Sequence, residues 1–415
     1  MPRFPRPKVS PRGLIWRPFQ TWLLSVVGIV SGLMLTTKVR KILRGGGQTS
    51  FPVVAPRTLP VGRQNRATTY TYGEHLYADM LDAIRGARTR VLFETFILKD
   101  DEVGEAFKRE LVAAAERGVD VHVIYDGFAN LVVPRSFLRF PPGVHVLRFP
   151  VLKTGLQPFN PRRWGRDHRK ILVVDDEVGF IGGYNVGALY ATEWRDTHLK
   201  IEGPAVWDLD NAFIDFWNDR HPVRIEPLGA ASWEPTVRAH RNVPRQLVFP
   251  IRGMYLEAID RARHHIHITA AYFIPDHDIL QGLLEARSRG VEVTIIVPEI
   301  SNHVVADWLS RGFYGELLRH GVRIQLYQDA MVHAKTATID GQWSTVGTAN
   351  IDRLSLTGNY EINLEVVDPN LAAHLEAVFA SDLENCRELT LEAWQARPFV
   401  ARACELLLTP LRPLL

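Results

Sequence analysis

One set of polar residues occurs twice in this chain, at a fixed interval. The first copy reads His168-Arg169-Lys170, then the apolar run Ile171-Leu172-Val173-Val174, then Asp175, and further on Gly182-Gly183-Tyr184-Asn185. The second reads His333-Ala334-Lys335, then Thr336-Ala337-Thr338-Ile339, then Asp340, and further on Gly347-Thr348-Ala349-Asn350. His168 to His333, Lys170 to Lys335, Asp175 to Asp340 and Asn185 to Asn350 are all the same step along the chain. Four polar residue types held at one offset require a duplicated unit. The period is far too long for a solenoid repeat, so the chain is expected to form two halves facing one another across a pseudo-two-fold axis.

The apolar pattern repeats as well. Leu81, Ala83, Ile84 and Ala87 lead into Val91-Leu92-Phe93, and Leu256, Ala258, Ile259 and Ala262 lead into Ile266-His267-Ile268. Each reads as a helix followed by a buried strand. Helical stretches over 102–117 and 276–289 come next, closed by Arg117-Gly118-Val119 and Arg289-Gly290-Val291, where glycine ends a helix before a β-branched run. The predicted class is α/β, with two duplicated halves, each a mixed β-sheet flanked by helices, and the active site at their interface. A length of 415 residues agrees, because single cores stop growing well below it. The expected organisation is a basic segment with a hydrophobic anchor helix over 1–44 and a linker over 45–69. The halves span 70–221 and 251–400, joined by a Pro-bearing linker over 222–250, and an apolar tail covers 401–415.

Histidine and lysine two apart in a strand share a face, while the apolar residues after them fill the sheet. Asn185 and Asn350 follow glycine-rich turns, where a missing Cβ lets backbone approach a ligand. A His, a Lys and an Asn from each half would converge on one anion. Phosphodiester transfer suits that set. One neutral imidazole attacks phosphorus, its protonated twin supplies the leaving alkoxide with a proton, and lysines and amides neutralise the equatorial oxygens. Asp196 follows His168 at the same interval by which Glu361 follows His333, so these are the carboxylates expected by symmetry to orient each ring. No metal or cofactor is expected, since a lysine beside each histidine would repel a cation.

The two His-x-Lys-x4-Asp motifs resemble those of the phospholipase D superfamily over most of residues 75–400. Within it, Arg166-Asp167-His168-Arg169-Lys170, Trp194-Arg195-Asp196-Thr197-His198, Gly203-Pro204-Ala205-Val206, Glu94-Thr95-Phe96 and Tyr125-Asp126-Gly127 look like bacterial cardiolipin synthases. The resemblance implies a phosphatidyltransferase that joins two phosphatidylglycerols into cardiolipin and glycerol. It also implies a phosphohistidine on His168, with His333 as general acid and then base; the local sequence is equally compatible with the reverse order. Hydrolysis of phospholipid on the same core is the alternative, and nuclease action a weaker one. Many members carry two N-terminal hydrophobic spans, whereas this chain has one.

That span, Phe19 to Thr37, has no charged residue and, at about 1.5 Å per residue, is just long enough to cross a bilayer. Basic residues on both sides leave its orientation open, and the absence of a small-residue cleavage site favours an anchor over a signal peptide. The expected partners are membrane phospholipid and the membrane surface of a bacterial inner or plasma membrane. A net charge of +3 gives no reason to expect nucleic acid. The stretch from Leu131 to Phe140 and the tail from Leu406 read either as core or as surfaces reaching a bilayer. Cys386 and Cys404 are too few for a disulfide framework.

Overall fold

The structure, a computed structural model, describes residues 20, 22, 24–36, 50–151, 165–227 and 234–414. Each copy of the repeat builds a mixed sheet with the same core topology. The first half contributes β1 (Arg57–Val61), β2 (Asn65–Tyr70), β3 (Arg90–Thr95), β4 (Asp120–Asp126), β5 (Val144–Phe149), β6 (Ile171–Val174), β7 (Val178–Gly182), the short β8 (Trp194–Arg195) and β9 (His198–Glu202). The second contributes β10 (Val237–Arg241), β11 (His265–Ala270), β12 (Phe273–Ile274), β13 (Glu292–Pro298), β14 (Arg323–Tyr327), β15 (Met331–Val332), β16 (Lys335–Ile339), β17 (Trp343–Gly347), β18 (Ile351–Asp352), β19 (Ile362–Val367) and β20 (Cys386–Leu389). The sheet orders are β1-β2-β9-β7-β6-β3-β4-β5 and β10-β19-β17-β16-β11-β13-β14-β20. In both, the first strand of the repeat (β3, β11) pairs in parallel with the next (β4, β13) and antiparallel with the strand that follows the His-x-Lys segment (β6, β16).

A helix at 24–36 is α1. The others are α2 (Gly73–Gly86), α3 (Glu102–Glu116), α4 (Ala188–Thr192), α5 (Val206–Asn218), α6 (Pro250–Arg261), α7 (His277–Ser288), α8 (Val304–Arg319), α9 (Arg353–Thr357), α10 (Pro369–Glu384), α11 (Leu391–Gln395) and α12 (Phe399–Leu408). Alternation along β3 sorts the layers: Val91 and Phe93 pack under Leu76, Tyr77, Ile84, Phe107 and Leu111 of α2 and α3. Leu92 points the other way, into a core shared with Leu209, Phe213 and Trp217 of α5. That central core also takes Ile181 and Leu199 from the first sheet and Val346, Ile362 and Leu364 from the second. One hydrophobic cluster therefore welds the halves, and their interface is set by apolar burial. Outside the second sheet, α6, α7 and α8 repeat the covering layer.

The two Arg-Gly-Val stops do what their sequence asks. Gly118 and Gly290 take left-handed φ values of 89° and 90°. The Val119 and Val291 N–H groups donate back to the Ala114 and Ala286 carbonyls at 3.1 Å in both cases, the closure of a Schellman cap. The linker expectations need correction. β1 lies within 45–69, β2 begins there and ends at Tyr70, and the two form the edge of the first sheet. β10 lies within 222–250 and forms the edge of the second. Edge strands tolerate proline and polar residues on their open side, which hid them. Within the tail, α12 packs Leu408 against Ala306 and Leu309 of α8. No helix among the described residues is long and apolar enough to cross a membrane; the expected span over 19–37 is described only in part.

The repeated aspartates, Asp175 and Asp340, are expected from the motif to be catalytic residues together with the His, Lys and Asn of each half, and the structure places them differently. Asp175 and Asp340 sit in the hairpin turns after β6 and β16 with left-handed φ of 53° and 54°. There the Asp175 carboxylate accepts from the backbone N–H of Arg88, Thr89 and Arg90 and from the Thr89 hydroxyl. Asp340 accepts from the N–H groups of Arg263, His264 and His265. Each lies at the far end of the strand that its histidine precedes, and at about 3.3 Å per strand residue neither carboxylate reaches that ring. They brace the helix-to-strand turns rather than joining the reaction. Burial pushes both carboxyls up, but the backbone donors together outweigh it and hold them below the ordinary carboxylate range, so their contribution is present at neutral pH and lost as pH falls below about 4. Asp340→Ala is therefore expected to lower unfolding free energy by about 1–3 kcal/mol, read by chemical denaturation, while the folded fraction keeps its kcat within a few-fold.

Candidate active site

The histidines stand where the halves touch. At the start of the first motif, Asp167 bridges Tyr360 in parallel, and the His168 N–H donates to the Tyr360 carbonyl at 3.0 Å. At the second, β15 pairs in parallel with β8, and the His333 N–H donates to the Arg195 carbonyl at 2.7 Å. Arg195 and Tyr360 are themselves related by the repeat offset, so these are the same contact made twice across the pseudo-dyad.

That pairing decides the carboxylates. Within-half pairing was expected, and the structure crosses it. His168 Nδ1 lies 3.0 and 2.9 Å from the two oxygens of Glu361, and His333 Nδ1 lies 2.6 Å from Asp196. The physical reason is the parallel bridge: Glu361 directly follows Tyr360, and Asp196 directly follows Arg195, so each carboxylate is delivered to the other half's ring. Glu361 and Asp196 are buried, and the Thr348 hydroxyl donates to the second oxygen of Glu361. With each Nδ1 engaged, the proton-bearing tautomer leaves Nε2 as the free nitrogen.

Both lysines are buried beside the rings. Lys170 Nζ donates to the His168 carbonyl at 2.7 Å, and Lys335 Nζ donates to the His333 carbonyl. Burial lowers Lys170 to about 7 and Lys335 to about 8, against the pull of Glu361 and Asp196. Burial also depresses both imidazoles. At His168 the Glu361 charge opposes the fall and Lys170 adds to it; at His333, Lys335, Lys170 and the His168 ring all push the same way. Burial lifts Asp196 to about 6, opposed by Lys335. Each half's charges are thus felt at the other half's ring, and the pocket gathers the cationic groups that an anion would satisfy.

Asn185 and Asn350 are buried. Asn185 Oδ1 accepts from Ile97 N–H at 3.3 Å, whereas Asn350 Oδ1 is buried with no hydrogen-bond partner among the described residues. Arg169, which directly follows His168, bonds Glu94 at 2.5 Å, and its guanidinium lies over the Phe216 ring at 4.1 Å. Arg166 holds Asp126 with two bonds of 3.0 and 2.8 Å.

Aromatic side chains complete the site and are invisible in the motif. Phe96 meets His168 edge-on at 4.8 Å, Trp194 lies 4.9 Å from His333, and Tyr272 lies 6.5 Å from it. His303 contacts Tyr272 at 5.5 Å and pushes His333 further down. Phe96 belongs to Glu94-Thr95-Phe96, already notable in the sequence; Tyr272 and His303 carry no sequence signal. His198 is a packing residue, lowered by burial to about 3. One group of donors, His265, His267 and Glu376, brings three ligand-type atoms within 4.8 Å of one another. It adjoins the Asp340 brace and shares no residue with the histidine pocket. Trp164, Arg162 and Arg163 lie outside the described residues.

The lysines give a pH expectation. Since kcat/KM reports groups of the free enzyme, it should fall through an alkaline limb between about 7 and 8 as Lys170 and Lys335 lose the charge that holds phosphate. A kcat/KM that climbs steadily to pH 10 would contradict this reading of the pocket.

Comparison with known proteins agrees with this architecture. A family model described as cardiolipin synthase, PLD-like domain, matches residues 80–217 and 255–383, one stretch in each half. The chain is 31% identical over 370 residues to the major cardiolipin synthase of Bacillus subtilis, covering 85% of this chain and 76% of that one. It is 33% identical over 348 residues to a cardiolipin synthase of Staphylococcus aureus, covering 80% and 70%. The crystal structure of a Haemophilus influenzae phosphatidylserine synthase superposes with a TM-score of 0.64 over 86% of this chain and 95% of that one; at 15% identity it speaks for the fold alone. The duplicated sheets, the paired His-Lys motifs and the extent of these matches place this chain in the cardiolipin synthase family of phospholipase D-like enzymes.

Proposed function

We propose that the protein is a cardiolipin synthase that transfers a phosphatidyl group from one phosphatidylglycerol to another by way of a phosphohistidine. The observation that carries the reading is the pair of imidazoles with crossed carboxylates, each beside a buried lysine at one interface. His168 Nε2 attacks phosphorus; the N–P bond forms as the bond to the departing glycerol oxygen breaks. His333, protonated once the phosphodiester anion has entered, gives its proton to that oxygen. The free hydroxyl of a second phosphatidylglycerol then loses its proton to His333 and attacks phosphorus, and the N–P bond breaks. Lys170, Lys335, Asn185 and Asn350 would hold the equatorial oxygens, where charge collects in the transition state. His168 is assigned the attack because its side chain is more open, 13% exposed against 6% for His333.

Transfer requires an alcohol at phosphorus in place of water, and a lipid acceptor presented at a bilayer meets that need. Exposed Phe128, Leu131 and Val132 form an apolar tip beside the first motif, while Val133, Phe137 and Leu138 of the same stretch are buried. On α1, Leu24, Val27, Met34 and Leu35 are exposed while Val26 packs inward. Both surfaces suit contact with a membrane.

Purified protein mixed with phosphatidylglycerol should accumulate cardiolipin and glycerol; accumulation of phosphatidic acid instead would make it a hydrolase. His168→Ala and His333→Ala should each lose at least about a thousandfold in kcat without loss of folding. Activity should persist in EDTA, and its disappearance there would overturn the metal-free mechanism.

A further inference from the structure

A cavity of about 590 Å³ opens between α8, α11 and α12, on side chains the transfer chemistry does not use. Five arginines line it, Arg311, Arg319, Arg397, Arg402 and Arg412, against two carboxylates, Glu316 and Glu405. The buried Glu405 already serves Arg311 at 3.0 Å and Arg397 at 2.9 Å, and the Arg397 guanidinium sits over the Trp394 ring at 3.8 Å. The other three arginines have no carboxylate at ion-pair distance among the described residues. Arg319 and Arg402 donate to the backbone carbonyls of Gly315 and Gln395. Arg412 Nε is buried with no hydrogen-bond partner among the described residues.

The space is built into α8. A Cβ at Gly312 would collide with the Arg412 guanidinium, and one at Gly315 with Trp394 Nε1. Two glycines one turn apart thus admit an arginine and an indole where side chains would otherwise close the gap. Forked guanidinium donors in excess over carboxylates are the complement of a phosphate group.

The surroundings indicate what carries that phosphate. Leu406 lines the cavity and is 74% exposed, and Phe399 and Val400 at the other end of α12 are 82% and 70% exposed. Trp22, Val30 and Leu33 of the N-terminal segment pack beside Leu408, with Trp22 Nε1 donating to the Leu407 carbonyl at 3.3 Å. α1 therefore packs on the same helix that lines the basic cavity, and the exposed Leu406 shares the rim with the arginines, so charge and apolar surface meet there, as at a bilayer interface.

We infer that this cavity is a second, non-catalytic phosphate site, one that holds the headgroup of an anionic phospholipid while the adjoining apolar surface takes its acyl chains. Its lipid source rests on the reading of that surface as membrane-facing and is independent of the transfer reaction. The test uses the full chain carrying His168→Ala, which blocks turnover, in neutral detergent with short-chain phosphatidylglycerol, and native mass spectrometry to count bound lipid. Adding Arg319→Gln and Arg402→Gln, both exposed positions, should weaken one bound phosphatidylglycerol per chain roughly tenfold. Adding Arg109→Gln and Arg261→Gln instead removes the same charge elsewhere on the exposed surface and should leave that molecule in place. Equal loss from both pairs, no loss from either, or equally tight binding of short-chain phosphatidylcholine would overturn the site. Inorganic phosphate bound at these arginines more tightly than the lipid would assign the cavity to a free anion and overturn the lipid source. Because the variant background is inactive, a failure of transfer in the unsubstituted protein leaves this readout unchanged.

Discussion

Two hydrogen bonds that cross the interface, His168 to Glu361 and His333 to Asp196, are the constraint on which the rest of the structure depends. Neither half can orient its own imidazole, so the site exists only when the halves are docked. The buried cluster of Ile181, Leu199, Val346, Ile362 and Leu364 supplies that docking, and the parallel bridges at Asp167–Tyr360 and Met331–Trp194 fix its register. Removing either carboxylate would strand a buried imidazole whose charged form has lost its stabilising partner, a change that costs more than the pair itself is worth.

The same docking crowds positive charge. Two lysines and two imidazoles share one buried region, and burial alone opposes charging all four. In the proposed reaction a phosphodiester arriving there would supply the missing negative charge, raise the lysines and allow one ring to take a proton. On that proposal, binding and activation of the acid would be a single electrostatic event, with little reorganisation left for the chemical step. The two sites are not identical. Glu361 meets His168 with both oxygens and is itself held by Thr348, whereas Asp196 is one methylene shorter and meets His333 with one.

Much of this was legible in the sequence because duplication turns spacing into geometry. The helix-stop glycines, the buried strands and the convergence of two His-Lys segments all follow from local rules applied twice. A translational repeat, however, cannot tell a contact within a half from the equivalent contact across the dyad; Asp196 keeps the same interval from His168 whichever ring it serves. Asp175 and Asp340 shared the motif's periodicity, and that periodicity concealed their role as turn braces. β1, β2 and β10 looked like linkers because edge strands carry weak apolar alternation. The arginines of the second cavity are scattered from 311 to 412 and meet only through the packing of α8 against α11 and α12.

The central claim is that both imidazoles attend one phosphorus atom. Rapid acid-free quenching of the protein with phosphatidylglycerol labelled at phosphorus, followed by peptide mapping, tests it most directly. A phosphoramidate on His168, stable to base and labile to acid, absent from His168→Ala and accumulating in His333→Ala supplied with an activated leaving group, is the result expected. Label on a serine, on a carboxylate or on neither histidine while turnover proceeds would contradict it.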